Sequence, residues 1–447
     1  MDLTALRAFR VALYQTFHRG QAVLMNILDA LLVTPHAQRV VEVTLSPAFA
    51  RAWPSLYQGL QQGRIDRQAL RRLYCASLPY TPGDRLVLAV DPTSILRPAS
   101  PTARDRMAVH AANLPEDAKP VGMGWQFSAI VVTPVQPSSW TYYLACTRIR
   151  SGTTPTQLAV VQLATLRPQL PARPLVLGDR HFGSAAFLLH PGMPDCDRLA
   201  RIQTHRLFYR LPPERAPDQR GRPRKRGAKF QPKDPRTHGP PTHRVTTHDA
   251  RGRAVAVTAW DGLYFGQDMT HPLTLVRCVR DEGAHSTRDP REIWVVWDSP
   301  ASPDHPAEPA PVTEVPALYA RRFSIDHGFR FDKQSLLWED PRLRTPGQFQ
   351  LWTDVLIAAH NTLVLTRPLV EGIRLPWERG QERAETPQQV RRAFAGLYPE
   401  LGTPAPAPQL RGKSPGRAPG TCPPPAKRYP IVRKTRAPAP PAASQAA

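Results

Sequence analysis

Tyr319, Arg322, Asp326 and Lys333 are spaced three, four and seven residues apart. On a helix turning about 100° per residue they fall within an arc of roughly 60°, so four polar groups share one face. Leu318, Ile325, Phe329 and Leu336 form the neighbouring apolar stripe, which would pack that helix on a core. A carboxylate set among an arginine, a lysine and a tyrosine hydroxyl suits simultaneous contact with a metal ion and a phosphate. Two more carboxylates, Asp91 and Asp179, each close a short apolar run, Arg85 to Val90 and Arg173 to Gly178. Hard divalent ions take carboxylate oxygens, and two of them about 3.5 to 4 Å apart serve phosphoryl transfer by activating the nucleophile and stabilising the leaving oxygen. Three acids held by separate elements suffice for that chemistry.

The elements that must position these acids are legible in outline. Residues 1–80 show apolar positions at helical spacing, with breaks near Pro35, Pro47 and Pro79, and read as a helical N-terminal domain able to bind DNA or to cap its neighbour. Arg85 to Val90 is a continuous apolar run, as expected of a buried strand delivering Asp91. A turn at Pro92 and Thr93 and a loop from Ser94 to Asp105 are expected next. Gln126 to Val135 and Trp140 to Arg148 read as a hairpin. Thr154 to Leu166 reads as a helix, Arg173 to Gly178 as a second buried strand ending at Asp179, Gly183 to Leu189 as a short helix and Arg198 to Gln203 as a strand.

Between Asp179 and Asp326 lie 146 residues, too many for a loop, so an insertion over 204–311 is expected. Its first part, Arg206 to Arg244, holds twelve Lys or Arg against three acids. Within it Arg220, Arg222, Arg224, Lys225 and Arg226 cluster, and Arg220-Gly-Arg-Pro has the form of an AT-hook core whose arginines enter a narrow minor groove. The same run also reads as a solvated loop touching phosphates without sequence preference. The rest of the insertion is β-rich, and its Trp294 and Trp297 read either as base-stacking residues or as buried sheet aromatics. The core resumes over 312–402. From Thr403 to Ala447 the chain is rich in proline, with eight Lys or Arg and no acid, and is expected to be a disordered basic tail.

Composition narrows the partner. A formal charge of +23 from 59 Lys and Arg against 36 Asp and Glu points to nucleic acid or an anionic surface. No run of eighteen apolar residues exists, so no membrane span is expected, and the start lacks the pattern of a signal peptide. Five scattered cysteines without a Cys-x-x-Cys fit reduced thiols in a cytoplasm. No Gly-x-Ser-x-Gly, Gly-x4-Gly-Lys or His-Glu-x2-His motif speaks for another enzyme class.

Strand with acid, hairpin, helix, strand with acid and helix with acid is the order of an α/β ribonuclease-H-like core. Tyr319-x2-Arg322-x3-Asp326-x6-Lys333 resembles the Tyr-x2-Arg-x3-Glu-x6-Lys pattern of the DDE transposases of bacterial insertion sequences, as does its Arg-Phe-x-Ile-Asp-His-x-Phe-Arg-Phe-x-Lys-Gln context. Gly-Asp-Arg-His-Phe-Gly around Asp179 and the segment around Asp91 are similar to that group's first two acidic motifs. The resemblance implies that Asp91, Asp179 and Asp326 coordinate two Mg²⁺, or Mn²⁺, and that Arg322 and Lys333 contact DNA phosphate. It gives Tyr319 the placing of a phosphate or terminal base. It also implies double-stranded DNA at element ends and target as substrate, a homodimer on DNA, and a bacterial, nucleoid-associated protein. The third acid departs from the pattern: aspartate stands where glutamate is expected, retracting the carboxylate by about 1 to 1.5 Å. A nuclease without strand transfer and an inactive or domesticated DNA-binding relic are the competing expectations.

Overall fold

A computed structural model describes residues 2–111, 120–136, 138–214, 222–249, 251–280, 290–378, 384–409, 416, 418–422 and 424–432. Helices open the chain: α1 (Leu3–Gln15), α2 (Gln21–Val33), α3 (Val40–Val43), α4 (Pro54–Gln62) and α5 (Arg67–Ala76), with strands β1 (Phe17–Arg19) and β2 (Arg64–Ile65) paired between them. Then come β3 (Val87–Leu96), β4 (Met107–His110), β5 (Val121–Val132), β6 (Tyr142–Ile149), α6 (Pro155–Leu166), β7 (Leu175–Gly178), α7 (Ala185–Leu188) and β8 (Asp197–Arg201). The inserted stretch supplies β9 (Phe208–Tyr209), β10 (Lys229–Phe230), β11 (His243–His248), β12 (Ala254–Phe265), β13 (Asp268–Arg280) and β14 (Glu292–Asp298). Helices α8 (Val315–Ala320), α9 (Ser324–Gln334), α10 (Pro346–Thr366) and α11 (Pro387–Leu401) follow.

Helix starts follow local chemistry. Thr154, Thr345 and Thr386 each accept a backbone N–H three residues on, while Gln157, Gln348 and Gln389 reach back, giving α6, α10 and α11 capping boxes with proline at the first turn. Every residue from Leu24 to Leu32 of α2 is buried, as only a helix surrounded by neighbours can be. Helix α10 lies between β6 and α2, and α11 packs on both helices. Two buried arginines tie these layers together. Arg10 pairs with Asp29 at 2.7 Å and donates to the Gly402 carbonyl, while Arg391 of α11 donates to the carbonyls of Leu31, Thr34 and Ser335. The last carbonyls of α2 are thus met by a side chain from the other end of the sequence.

The central sheet order is β6, β5, β3, β7, β8, with β3, β7 and β8 parallel, β5 antiparallel to β3, and β6, antiparallel to β5, running in the direction of β3 again. This mixed α/β arrangement is consistent with a ribonuclease-H-like core. The insertion does not form a sheet of its own: β14 pairs antiparallel with β8 and carries the ladder outward through β13, β12, β9 and β10.

Two expectations are corrected. The turn at Pro92 and Thr93 is absent, because β3 runs through both to Leu96, paired all along with β5. Bonds from Thr133 N–H to the Val87 carbonyl and from Arg97 N–H to the Met123 carbonyl put odd-numbered residues of β3 in hydrogen bonds with β5. Pro92, which lacks an N–H, therefore faces the other side, where β7 has already ended opposite Val90. The tail is also not wholly disordered. Tyr429 and Val432 donate backbone N–H groups to the carbonyls of Pro101 and Arg106, and Val432 makes a parallel bridge to Met107. The edge of β4 offers unpaired backbone groups, and a short extended segment takes them. Residues 433–447 lie outside the described residues.

Candidate active site

Asp91 is the fifth residue of β3, opposite Ala129 of β5. Asp179 follows the last residue of β7, and its turn is built around two close approaches. A Cβ on Gly178 would lie 2.5 Å from Phe182 Cβ, and one on Gly183 would lie 2.0 Å from the Arg201 carbonyl oxygen. The N–H of His181 donates to Asp179 Oδ1 at 2.8 Å, and those of Phe182 and Gly183 donate to its carbonyl. The glycines of Gly-Asp-Arg-His-Phe-Gly are thus packing requirements that fix the carboxylate beside β3.

The third acid does not sit on one continuous helix with Tyr319. Residues Arg321–Phe323 form a 3₁₀ turn between α8 and α9. There Arg321 donates to the Thr133 hydroxyl at 3.2 Å and its carbonyl at 3.1 Å, and Arg322 Nη1 donates to Asp91 Oδ2 at 3.1 Å. The four polar groups consequently lie at different depths. Tyr319 is buried, 4% exposed, whereas the Asp326 side chain is 47% exposed. Arg322 joins two of the acids, since its Nη2 stands 3.5 Å from Asp326 Oδ2. Lys333 Nζ donates to the Ser94 carbonyl at 2.7 Å and pairs with Glu339 at 3.2 Å, pinning the far end of α9 to β3. The stripe Leu318, Ile325, Phe329 and Leu336 is buried.

Burial pushes the Asp91 carboxyl up to about 8; Arg322 opposes the rise, while Asp179 and Asp326 add to it by repulsion. Burial also raises the Tyr319 hydroxyl, against the pull of Arg322 and Arg201. For Arg322, burial disfavours the charge, but Tyr319 and all three acids more than compensate and raise it above the ordinary arginine value.

A buried polar network behind α9 escapes a reading based on the acids. Asp332 accepts from the Tyr143 hydroxyl at 2.7 Å and lies 2.6 Å from His360 Nδ1, while His360 Nε2 faces the Thr141 carbonyl at 3.0 Å. It joins α9 to β6 and α10. The available signal was a carboxylate occupying an apolar-stripe position, three residues beyond Phe329.

The basic cluster is not brought to the acids. It lies between β9 and β10, at the far edge of the order β10, β9, β12, β13, β14, β8, β7, β3, seven strands away from the one that bears Asp91. Arg222, Arg224 and Lys225 are exposed; Arg226 donates to the Gly266 carbonyl and lies over the Tyr209 ring at 5.0 Å. Arg220 and Gly221 lie outside the described residues. Trp294 and Trp297 are buried, with Trp294 stacked on Trp260, so they act as sheet aromatics.

A family model described as DDE superfamily endonuclease matches residues 12–263, more than half of the chain, and the protein belongs to that family. Membership points to nuclease or transposase-type chemistry on DNA, in a family that generally uses divalent metal ions. The matched span contains Asp91 and Asp179 and ends before Asp326. No curated protein matches the chain. No helix among the described residues is long and apolar enough to cross a membrane.

Carboxylate oxygens suit a hard divalent ion, but the geometry as it stands does not fit one. Among the described residues, no three His, Cys, Asp or Glu groups are placed to hold a metal. The position between Asp91 and Asp326 is taken by the Arg322 guanidinium.

Proposed function

We propose that the protein is a transposase that cleaves DNA at the ends of an insertion element and joins those ends to a target. The observation carrying this reading is the reach of Arg322 from the turn before α9 to Asp91 on β3, which brings the third acid's element onto the sheet that bears the first two. In this reading Asp91, Asp179 and Asp326 are the catalytic acids. Arg322 contacts the phosphate next to the cut and Lys333 a phosphate beyond it, while Tyr319, packed behind Arg322, orients the guanidinium. Arg222, Arg224, Lys225 and Arg226, on the far edge of the sheet, grip the same duplex away from the cut, and Arg220 of the same basic run joins them. Such a separated pair of contacts fits a protein that holds an element end in register for cutting. The active form is a homodimer, since two ends must be held together.

A binding-only relic is the second reading, and the exposed, shortened Asp326 favours it. The experiment incubates the chain with a plasmid carrying the DNA that flanks its coding region, in Mg²⁺ or Mn²⁺, and resolves nicked, cut and joined products. Joined products that disappear in Asp91→Asn support the transposase. Nicks without joining reveal a nuclease, and end-specific binding without any cleavage reveals the relic.

A further inference from the structure

We infer that Arg322 is the resident counter-ion of the carboxylate site, and that a DNA phosphate must draw it away before those acids can hold a divalent cation. Cation binding and DNA binding are then coupled. This inference rests on reading Asp91, Asp179 and Asp326 as the catalytic acids.

Arg322 occupies the place between the acids: Nη1 is 3.1 Å from Asp91 Oδ2 and Nη2 is 3.5 Å from Asp326 Oδ2. Asp179 also acts on the same guanidinium. The arginine is built into the site, with a side chain only 11% exposed, its plane over the Phe323 ring at 4.7 Å, and its Nε buried without a hydrogen-bond partner. One oxygen of Asp91 and one of Asp326 face a positive charge already. A dication seeking the same oxygens would stand within a few ångström of a guanidinium, and the two cations repel. This accounts for three acids on neighbouring elements that do not form a metal cluster among the described residues.

Phosphate is the group equipped to release the site. Its oxygens match the guanidinium fork and form short, charge-assisted bonds. The path is short as well: Phe323 and Asp326 are exposed, so the guanidinium lies beneath the surface on which a duplex would rest. The long side chain can swing outward while its backbone stays in the 3₁₀ turn. A phosphate that takes Arg322 frees the Asp91 and Asp326 oxygens from the guanidinium, and a divalent cation can then take them, displacing the proton that burial favours on Asp91. Linkage makes the effect mutual, so the cation tightens DNA binding by the same factor by which DNA tightens cation binding. Cleavage is thereby confined to bound substrate, because the free protein holds its acids neutralised from within.

The test measures Mn²⁺ binding from the signal of free Mn²⁺ in electron paramagnetic resonance, using the full chain alone and with a short random-sequence duplex, after subtracting Mn²⁺ bound by the duplex itself. The duplex is expected to tighten Mn²⁺ binding by at least about tenfold, a modest effect for removing a unit charge beside a dication. Arg322→Gln is expected to bind Mn²⁺ at least about tenfold more tightly without DNA and to lose the duplex effect. Equal Mn²⁺ affinity of the unaltered chain with and without duplex overturns the inference, and that arm needs no variant to fold. An Arg322→Gln chain that folds but binds Mn²⁺ no more tightly also overturns it. Asp91→Asn separates the two levels: if it binds Mn²⁺ as the unaltered chain does in both arms, the acids are not the cation site and the functional reading itself fails.

Discussion

Gly328 of α9 and Thr141, just before β6, approach so closely that a Cβ on Gly328 would lie 2.3 Å from Thr141 Cγ2. The helix carrying Asp326 can lie this near the sheet only because residue 328 has no side chain. Gly328→Ala is expected to lift α9 and cost about 1 to 3 kcal/mol, the range for overpacking a filled core. Thr141→Ser removes the obstructing methyl, so Gly328→Ala/Thr141→Ser is expected to recover most of that loss. Urea unfolding of the four chains gives the coupling energy; strictly additive effects would show that the contact does not set the helix height.

Asp91 makes stability depend on pH in a definite direction. Its folded-state value, about 8, lies above the ordinary 3.8 because of burial first, with repulsion from Asp179 and Asp326 added. A raised folded value means that the native state binds the proton more tightly than the unfolded chain does. Its contribution is fully present below about pH 4 and is lost as pH rises through about 8. Without added metal, Asp91→Asn should leave stability unchanged near pH 4 and raise it by several kcal/mol at pH 9, since each unit of the shift is worth about 1.4 kcal/mol. Urea midpoints across that window test it; a variant less stable than the parent at pH 9 would mean that the Arg322 pair outweighs burial.

The legible parts of this fold are those with a local cause. The runs before Asp91 and Asp179 are continuously apolar because β3 and β7 are buried on both faces, and the starts of α6, α10 and α11 are written as Thr-Pro-x-Gln. The spacing of Tyr319, Arg322, Asp326 and Lys333 was equally visible, but its depth was not. A 3₁₀ turn at Arg321–Phe323 depends on Thr133 and Asp91, far away in sequence. Nothing local distinguishes a separate β module from one whose β14 pairs with β8, since about ninety residues separate the two strands. The Asp332 and His360 pair was hidden likewise, because a carboxylate in an apolar stripe acquires a partner only once α10 is in place.

The docked part of the tail rests on few contacts, and Tyr429 makes most of them. Arg104 Nε donates to its hydroxyl at 2.7 Å, and the Arg104 guanidinium lies over its ring at 4.9 Å. Tyr429→Ala should therefore release residues 427–432 while leaving the core intact. Cleavage after Lys427 or Arg428 by a trypsin-like protease should accelerate several-fold with the melting temperature shifted by no more than about 2 °C, the pattern of local opening. An unchanged cleavage rate would assign the hold on the tail to the Val432 bridge.

Asp326 is the acid least anchored by its surroundings. Its side chain is 47% exposed, and its contact with Arg322, at 3.5 Å, is the longer of the two that the arginine makes. Helix α9 cannot move inward to compensate, because Gly328 already touches Thr141 and Lys333 is fixed to Ser94. A glutamate here would carry the carboxylate about 1 to 1.5 Å further from the helix, and a misplacement of about 1 Å in a positioned group costs on the order of a hundredfold in rate. Asp326→Glu is expected to raise single-turnover strand cleavage by about tenfold or more with no loss of DNA affinity. A decrease, measured at equal DNA occupancy, would mean that the site is closed around aspartate and that its approach to Asp91 and Asp179 is already complete.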